Sequence, residues 1–184
     1  MAATRSRNTR TGGRLAPLFF PASVAVIGAA REPGKVGHTV LDNILKGGYQ
    51  GKVLPVNPKA EEIAGLKCYP SIAAAAEAAG TVKLAVNVIP APLVPDVIEE
   101  CGAAGVRAAI VISASFRESG REGFLLEQRL LESARRHRVA HGAFLGHKET
   151  HGGISRNQLV SEAASITSRP SEIPRRVLEI YSNG

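Results

Sequence analysis

The chain has 184 residues, of which 44% are hydrophobic and 21% are charged, enough for one globular domain with a buried core and short extensions. No apolar run approaches the length of about eighteen residues that a transmembrane helix needs. Its two cysteines, Cys68 and Cys101, supply neither a disulfide framework nor a Cys-x-x-Cys metal spacing. We therefore expect a protein of the reducing cytoplasm, without a membrane span or a secretory signal.

The net charge of +7 lies at the two ends of the chain. Residues 1–14 carry four arginines and no acid, and residues 135–184 carry eight basic and four acidic residues. Residues 15–134 between them carry 11 basic and 12 acidic residues. A basic extension attracts phosphate polymers, but short biased termini are more often merely solvated. With 4% aromatic residues and no Trp, the chain has little to stack on bases. The composition therefore argues against a nucleic acid as partner.

The first elements in chain order form a strand, a glycine-rich loop and a helix. Residues 1–15 have almost nothing to bury and are predicted to be a disordered basic arm. The continuous apolar run at 23–28 predicts a strand that is buried on both faces. After a loop over 29–37, apolar residues between 40 and 45 predict a helix that ends at Gly47 and Gly48.

The alternation of strand and helix then repeats, which is typical of parallel βαβ units with right-handed crossovers. We therefore predict an α/β fold, a Rossmann-like doubly wound parallel sheet. The further predicted strands are 52–56, 84–89 and 107–112, and the helices are 72–79 with Ser71 as N-cap, 94–104 and 118–137.

The pattern weakens after His137. Val139 and Ala140 are suited to begin a fifth strand, but residues 141–144 do not continue it. We therefore expect the Rossmann-like domain to span residues 16–140 and residues 141–184 to form a tail of uncertain structure. Within that tail, residues 173–181 are amphipathic and predict a short helix.

Ligands of open α/β sheets bind outside the carboxyl ends of the strands. In the loop after the first predicted strand, Gly34 and Gly37 allow backbone N–H groups to approach a ligand, and the next helix offers its positive N-terminus to phosphate. The Walker A spacing fails, because five residues separate the glycines and Val36 follows the lysine. The dinucleotide fingerprint fails as well, because Ala30 replaces its second glycine.

The other strand ends are also suited to contact a ligand. Residues 57–59 place a lysine after the second strand, residues 89–92 form a stiff apolar ledge, and residues 113–116 add two hydroxyl groups and a ring. Each has a structural explanation, as a solvated lysine, strand-ending prolines or helix caps. Their occurrence at consecutive strand ends favours a ligand groove.

Six segments between residues 18 and 137 occur in a characteristic order: FFPASVAVIGA at 19–29, PGKVG at 33–37, PVNPK at 55–59, GLKCYPS at 65–71, EECGAAGV at 99–106 and IVISASF at 110–116. With these segments the chain resembles the N-terminal CoA-binding domain of the nucleoside-diphosphate-forming acyl-CoA synthetases, relatives of the succinyl-CoA synthetase alpha subunit. The resemblance implies coenzyme A as cofactor, bound across the strand ends.

By this resemblance the loop over 28–37 holds phosphate and pantetheine groups, and Lys59 meets a phosphate. Pro90 and Ala91 line the channel, and residues 113–115 contact the adenine or pantetheine side. The implied CoA-contacting residues are Gly28, Ala29, Ala30, Gly34, Lys35, Val36, Gly37, Asn57, Pro58, Lys59, Pro90, Ala91, Ser113, Ala114 and Ser115.

The resemblance ends where that family continues with Gly-Pro-Asn-Cys-Leu-Gly, since residues 139–146 differ from it. The phosphohistidine and ATP-grasp domains of the family have no counterpart in the sequence. His141, His147 and His151 do not replace the phosphohistidine, and the two cysteines fit buried structural positions. We predict no catalytic residue and no metal ligand, so the chain alone is not expected to catalyse the ligase reaction.

The sequence thus predicts a CoA- or acyl-CoA-binding module whose partners are separately encoded synthetase subunits or a second copy of the chain. Whether it is a natural stand-alone module or the product of a gene interrupted near residue 140 stays open. The alternative function is a non-catalytic interaction protein that uses its basic termini on a polyanion.

Overall fold

The computed structural model describes residues 16–113, 115–116 and 119–145. Its main sheet has five parallel strands in the order β2-β1-β5-β6-β7, and β3 and β4 form a separate antiparallel pair. The strands are β1 (Ser23–Ile27), β2 (Lys52–Val56), β3 (Glu62–Ile63), β4 (Leu66–Lys67), β5 (Leu84–Asn87), β6 (Ala108–Ser113) and β7 (Ala140–Leu145). The helices are α1 (Ala16–Phe19), α2 (Val36–Lys46), α3 (Ile72–Ala79), α4 (Val94–Ala103) and α5 (Arg121–His137), with a 3-10 turn at Ala91–Leu93.

Helices cover both faces of the sheet, as the predicted doubly wound α/β fold requires. Val24 and Val26 of β1 share a buried cluster with Leu41 of α2. The alternate residues of the same strand, Ala25 and Ile27, pack in a second cluster with α3 on the other face. Every residue of β1 is buried, and after Ser23 the strand is a continuous apolar run, which is typical of a parallel strand covered on both sides.

Most of the predicted element boundaries are close to those of the structure. The hydroxyl oxygen of Ser71 accepts a hydrogen bond from the Ala74 amide at 3.2 Å, which confirms the predicted N-cap of α3. The helix α2 begins at Val36, so Gly37 belongs to its first turn and not to the loop before it. The predicted strand at 84–89 ends earlier, at Asn87.

The hairpin β3–β4 is a feature that the sequence does not predict. Its two turn residues, Ala64 and Gly65, have φ values of 53° and 74°, as a type I′ turn requires. Alanine is uncommon at such a position, so the usual Asn-Gly signal is missing. The Asn57 amide donates to the Tyr69 carbonyl at 2.9 Å, and this bond joins the chain after the hairpin to the end of β2.

The expectation that the sheet pattern ends at residue 140 is corrected by the structure. Strand β7 continues through Leu145 and pairs with β6 over its whole length. Arg138, with a φ of 55°, turns the chain from α5 into this strand. Pairing with β6 compensates here for the weak strand preference of residues 141–144. The basic arm, His147, His151 and residues 173–181 lie outside the described residues.

Among the described residues, no helix is both long and apolar enough to span a membrane.

Two glycines allow the first turn of α2 to sit directly on the end of β1. Gly28 has a φ of +86°, and a Cβ there would lie 2.5 Å from the Val88 carbonyl oxygen. A Cβ on Gly37, which is buried in α2, would overlap the Gly28 carbonyl oxygen. Backbone atoms on both sides therefore leave no space for a side chain at either position.

We expect Gly37→Ala to destabilise the fold by about 1–3 kcal/mol, because the helix must move away from the strand to admit the methyl group. Urea unfolding monitored by circular dichroism measures this change. The control is Gly47→Ala, at an exposed C-cap with a right-handed backbone (φ −69°). Equal stability of the two variants would contradict this interpretation of Gly37.

A polar cluster joins α4 to α5. Oε1 of Glu99 accepts hydrogen bonds from His137 Nε2 and Arg136 Nη1, each at 2.9 Å. The hydrogen bonds of His137 and Ser133 to the Glu99 carboxylate lower its pKa to about 2, with a smaller contribution from Arg136. Gly102 makes room for this arrangement, since a Cβ there would overlap the His137 ring.

The folded-state pKa of Glu99 lies below its ordinary value of 4.5. The carboxylate therefore stabilises the fold above pH 4.5, and this contribution is lost as the pH falls toward 2. We expect Glu99→Gln to lower the melting temperature near neutral pH, and the difference from the parent protein to shrink below pH 4.5. Glu62→Gln, in the exposed hairpin, is the control. A difference that stays constant with pH would contradict the assignment.

Candidate functional site

A cleft of about 360 Å³ opens at the carboxyl ends of β1 and β2. One wall is the loop that follows β1, and the other is the segment between β2 and the hairpin. The lining residues are Gly28, Ala29, Ala30, Arg31, Glu32, Lys35, Asn57, Lys59, Ala60 and Ile63.

Asn57 holds the two walls of the cleft together. Its Nδ2 donates a hydrogen bond to the Ala29 carbonyl at 2.8 Å, and its Oδ1 accepts one from the Lys59 amide at 2.9 Å. Both ends of the side-chain amide are thus bonded within the protein. These two bonds make Asn57 a residue that orients the loops. Asn57 also lines the cleft, and the ligand contact predicted for it from the sequence stays a prediction.

The cleft carries more positive than negative charge. Three of its side chains are the cations Arg31, Lys35 and Lys59, and one is the carboxylate of Glu32. Lys35 Nζ lies 3.7 Å from Glu32 Oε2, with both side chains about two-thirds exposed (66% and 67%). Because an ion pair so open to water is weak, it leaves Lys35 available for an incoming anion.

The N-terminus of α2 adds to this positive potential. Lys35 occupies the N-cap position, and its side chain makes no capping hydrogen bond. The first amides of a helix have no partner within the helix, and the aligned peptide dipoles place partial positive charge there. Cations and free amides in one place are the arrangement that proteins use to bind phosphate groups.

The structure brings six of the predicted residues to this cleft and leaves four neighbouring ones outside its lining. Gly34 and Pro58 are exposed, Val36 is half-buried, and buried Gly37 packs on Gly28. Gly37 thus has a packing role, and the ligand contact predicted for it stays a prediction. The six residues in the cleft are Gly28, Ala29, Ala30, Lys35, Asn57 and Lys59.

The predicted residues at the ends of β5 and β6 do not line this cleft. Pro90 is exposed, whereas Ala91 is only 2% exposed and packs in the apolar cluster beneath the 3-10 turn. Ser113 is half-buried and Ser115 is exposed, with an unusual φ of 80°. Ala114 lies outside the described residues.

Four lining residues are not among those predicted from the sequence: Arg31, Glu32, Ala60 and Ile63. Arg31 and Glu32 belong to the same loop as Lys35, so the sequence predicts the loop but not its first cation. Nη2 of Arg31 lies 3.5 Å from the Lys59 carbonyl oxygen, across the cleft. Ile63 lines the cleft through the unpredicted hairpin, and no local signal marks it.

Neither cysteine is suited to act as a nucleophile. Burial, with a smaller effect of the Glu100 charge, raises the pKa of Cys101 to about 12. Burial also raises the pKa of Cys68, against smaller opposing effects of nearby backbone groups and Arg31. Both thiols are free and buried, as the sequence predicts, and a thiol of raised pKa carries little thiolate. Within the described part of the chain, no three His, Cys, Asp or Glu side chains form a metal-binding cluster.

Comparison with known proteins identifies the family. Residues 22–143 match the model of the CoA-binding domain. The chain is 42% identical over 135 residues to an ADP-forming acetate–CoA ligase of Archaeoglobus fulgidus, covering 73% of this chain and 20% of the relative. It is 46% identical over 127 residues to the alpha subunit of such a ligase from Pyrococcus furiosus, covering 67% of this chain and 27% of the relative.

Solved structures agree with the sequence match. The apo form of a Ca. Korarchaeum cryptofilum acetyl-coenzyme A synthetase, described as dinucleotide-forming, is 40% identical, with a TM-score of 0.64 over 69% of this chain and 27% of the other. A Pyrococcus horikoshii protein is 38% identical, with a TM-score of 0.65 over 70% of this chain and 29% of the other. The chain thus spans about a fifth to three-tenths of these relatives. It belongs to the CoA-binding domain family and corresponds to the N-terminal part of the ADP-forming acyl-CoA synthetases.

Proposed function

We propose that this chain binds CoA or acyl-CoA with the phosphate groups in the cleft between the β1 and β2 loops. The observation that carries the proposal is the convergence of Arg31, Lys35 and Lys59 with the uncapped N-terminus of α2. CoA carries several phosphate charges at one end, and charge-assisted hydrogen bonds to phosphate are among the stronger ones available to a protein.

The pantetheine arm then extends from the cleft toward the ends of β5 and β6. Along this path lie the predicted residues Pro90 and Ser113. The contacts of these two residues, and those of Ala91, Ala114 and Ser115, remain predictions from the family resemblance.

We further propose that the chain acts as a CoA-binding subunit and does not catalyse the ligase reaction alone. The match covers about a fifth of the Archaeoglobus fulgidus relative, and the two cysteines are buried with raised pKa. Both observations support this role. The partners are separately encoded synthetase subunits or a second copy of the chain. A reducing cytoplasm is the predicted compartment, in keeping with two free thiols.

A thermal-shift titration tests ligand binding directly. CoA at about 100 times its dissociation constant is expected to stabilise the fold by about 2.7 kcal/mol, a shift of roughly 5–11 °C for a domain of this size. NAD is the control for non-specific nucleotide binding, and pantetheine separates the arm from the phosphates. An equal shift with CoA and NAD, or none with either in a cooperative melt, would contradict the proposal.

Single substitutions test the phosphate contacts. We expect Arg31→Ala and Lys59→Ala each to weaken CoA binding by about 1–3 kcal/mol in titration calorimetry, because each removes a charge-assisted contact. Pantetheine affinity should change little, since pantetheine carries no phosphate. Lys67→Ala, which removes an exposed lysine from the hairpin outside the cleft lining, is the matched control. Unchanged CoA affinity in both cleft variants would contradict the phosphate assignment.

A further inference from the structure

Cations precede or begin four of the five strands at the amino edge of the main sheet. Lys52 is the first residue of β2 and pairs with Ser23 of β1. Lys83 lies beside Ser23, whose hydroxyl oxygen accepts a hydrogen bond from the Lys83 amide at 3.1 Å. The Lys83 carbonyl accepts from the Ala108 amide at 3.1 Å, which sets Lys83 beside Arg107. We call the row of Lys52, Lys83, Arg107 and Arg138 the basic edge.

The basic edge lies at the opposite end of the sheet from the candidate CoA cleft. Strand β1 has five residues, so at about 3.3 Å per residue the two edges are about 17 Å apart. Neighbouring parallel strands are about 4.8 Å apart, so the row, which runs from β2 to β7 across the sheet, is about 19 Å long. At this distance, one ligand can bind at each edge at the same time.

Most of these charges have no acidic partner within the described residues. No ion pair in this part of the chain involves Lys83, Arg107 or Arg138. Lys52 donates a hydrogen bond from Nζ to the Ala79 carbonyl at the end of α3, at 3.1 Å. The C-termini of α3, α4 and α5 also reach this edge, and their partial negative charge favours cations there. Glu100, exposed in the last turn of α4, is the acidic side chain of that helix end.

One aromatic side chain lies at the same end of the sheet as the basic edge. Phe20, just before β1, is 65% exposed.

We propose that the basic edge binds single-stranded nucleic acid through its phosphate backbone. A line of cations suits a flexible phosphate polymer, which is held chiefly by charge and without regard to sequence, and one exposed ring lies at the same end of the sheet. A protein partner would require an apolar centre, whereas this row consists of charged side chains. The low aromatic content argues against recognition of bases but not against phosphate contacts.

The test uses the full chain and a fluorescent oligothymidylate of about 20 nucleotides, longer than a typical binding site of about 4–16. The edge variant combines Lys83→Ala, Arg107→Ala and Arg138→Asn, with Asn chosen because it tolerates the positive φ at this position. The control variant combines Lys67→Ala, Arg121→Ala and Arg129→Ala and removes the same number of charges elsewhere. Cooperative melting and unchanged CoA binding verify that both variants are folded.

Fluorescence anisotropy between about 50 and 200 mM salt measures affinity and its salt dependence. We expect the edge variant to bind at least about tenfold more weakly, with a slope of log K against log salt shallower by about 2, since each lost phosphate contact removes about 0.7. The control variant should retain most of the affinity, and saturating CoA should not displace the oligonucleotide.

Four outcomes would overturn the proposal. They are absence of binding by the parent protein, equal weakening in both variants, displacement of the oligonucleotide by CoA, and equally tight binding of polyglutamate. Equal weakening would indicate attraction to net charge alone. Displacement would locate the oligonucleotide in the cleft, and polyglutamate binding would indicate an acidic protein partner.

Discussion

The fold depends on the absence of side chains where β1 meets α2. Gly28 stands at the end of the strand, hydrogen-bonded through its amide to the Val56 carbonyl on one side at 3.0 Å and close to Val88 on the other. Gly37 closes the third side with its own backbone. Three elements thus converge on one peptide group, and any side chain there would separate them. This convergence sets the position of the α2 N-terminus, and with it the location of the positive potential at the cleft.

The cleft combines this rigid junction with two less constrained loops. Asn57 fixes the relative position of the loops by bonding to Ala29 and Lys59. The cations themselves are exposed and free to adapt, which suits a ligand whose phosphate groups can take several conformations. Buried groups thus set the geometry of the cleft, and exposed groups supply its charge. Because the charged side chains remain in contact with water, their placement at the cleft costs little desolvation.

Local signals in the sequence predict much of the fold of this molecule. The buried strands are continuous apolar runs, and the Ser71 cap and the loop that contains Lys35 have local signals. Strand β7 has no such local signal, because its pairing with β6 is a property of the folded sheet. The hairpin turn has Ala64 before Gly65 in place of the usual Asn-Gly pair, so its local signal is weak. Ile63 reaches the cleft only through that hairpin, and the inward role of Asn57 becomes visible only once its partners are in place.

The parallel direction of all five main strands has a consequence for how the surface can change over time. Parallel strands gather the loops that follow them at one end and the loops that precede them at the other, and the buried core lies between. Substitutions at sites this far apart without shared partners have nearly additive effects. Each end can therefore acquire or lose a property by successive single replacements without disturbing the other. The loops at one end of the sheet can therefore diverge in sequence while those at the other end stay unchanged.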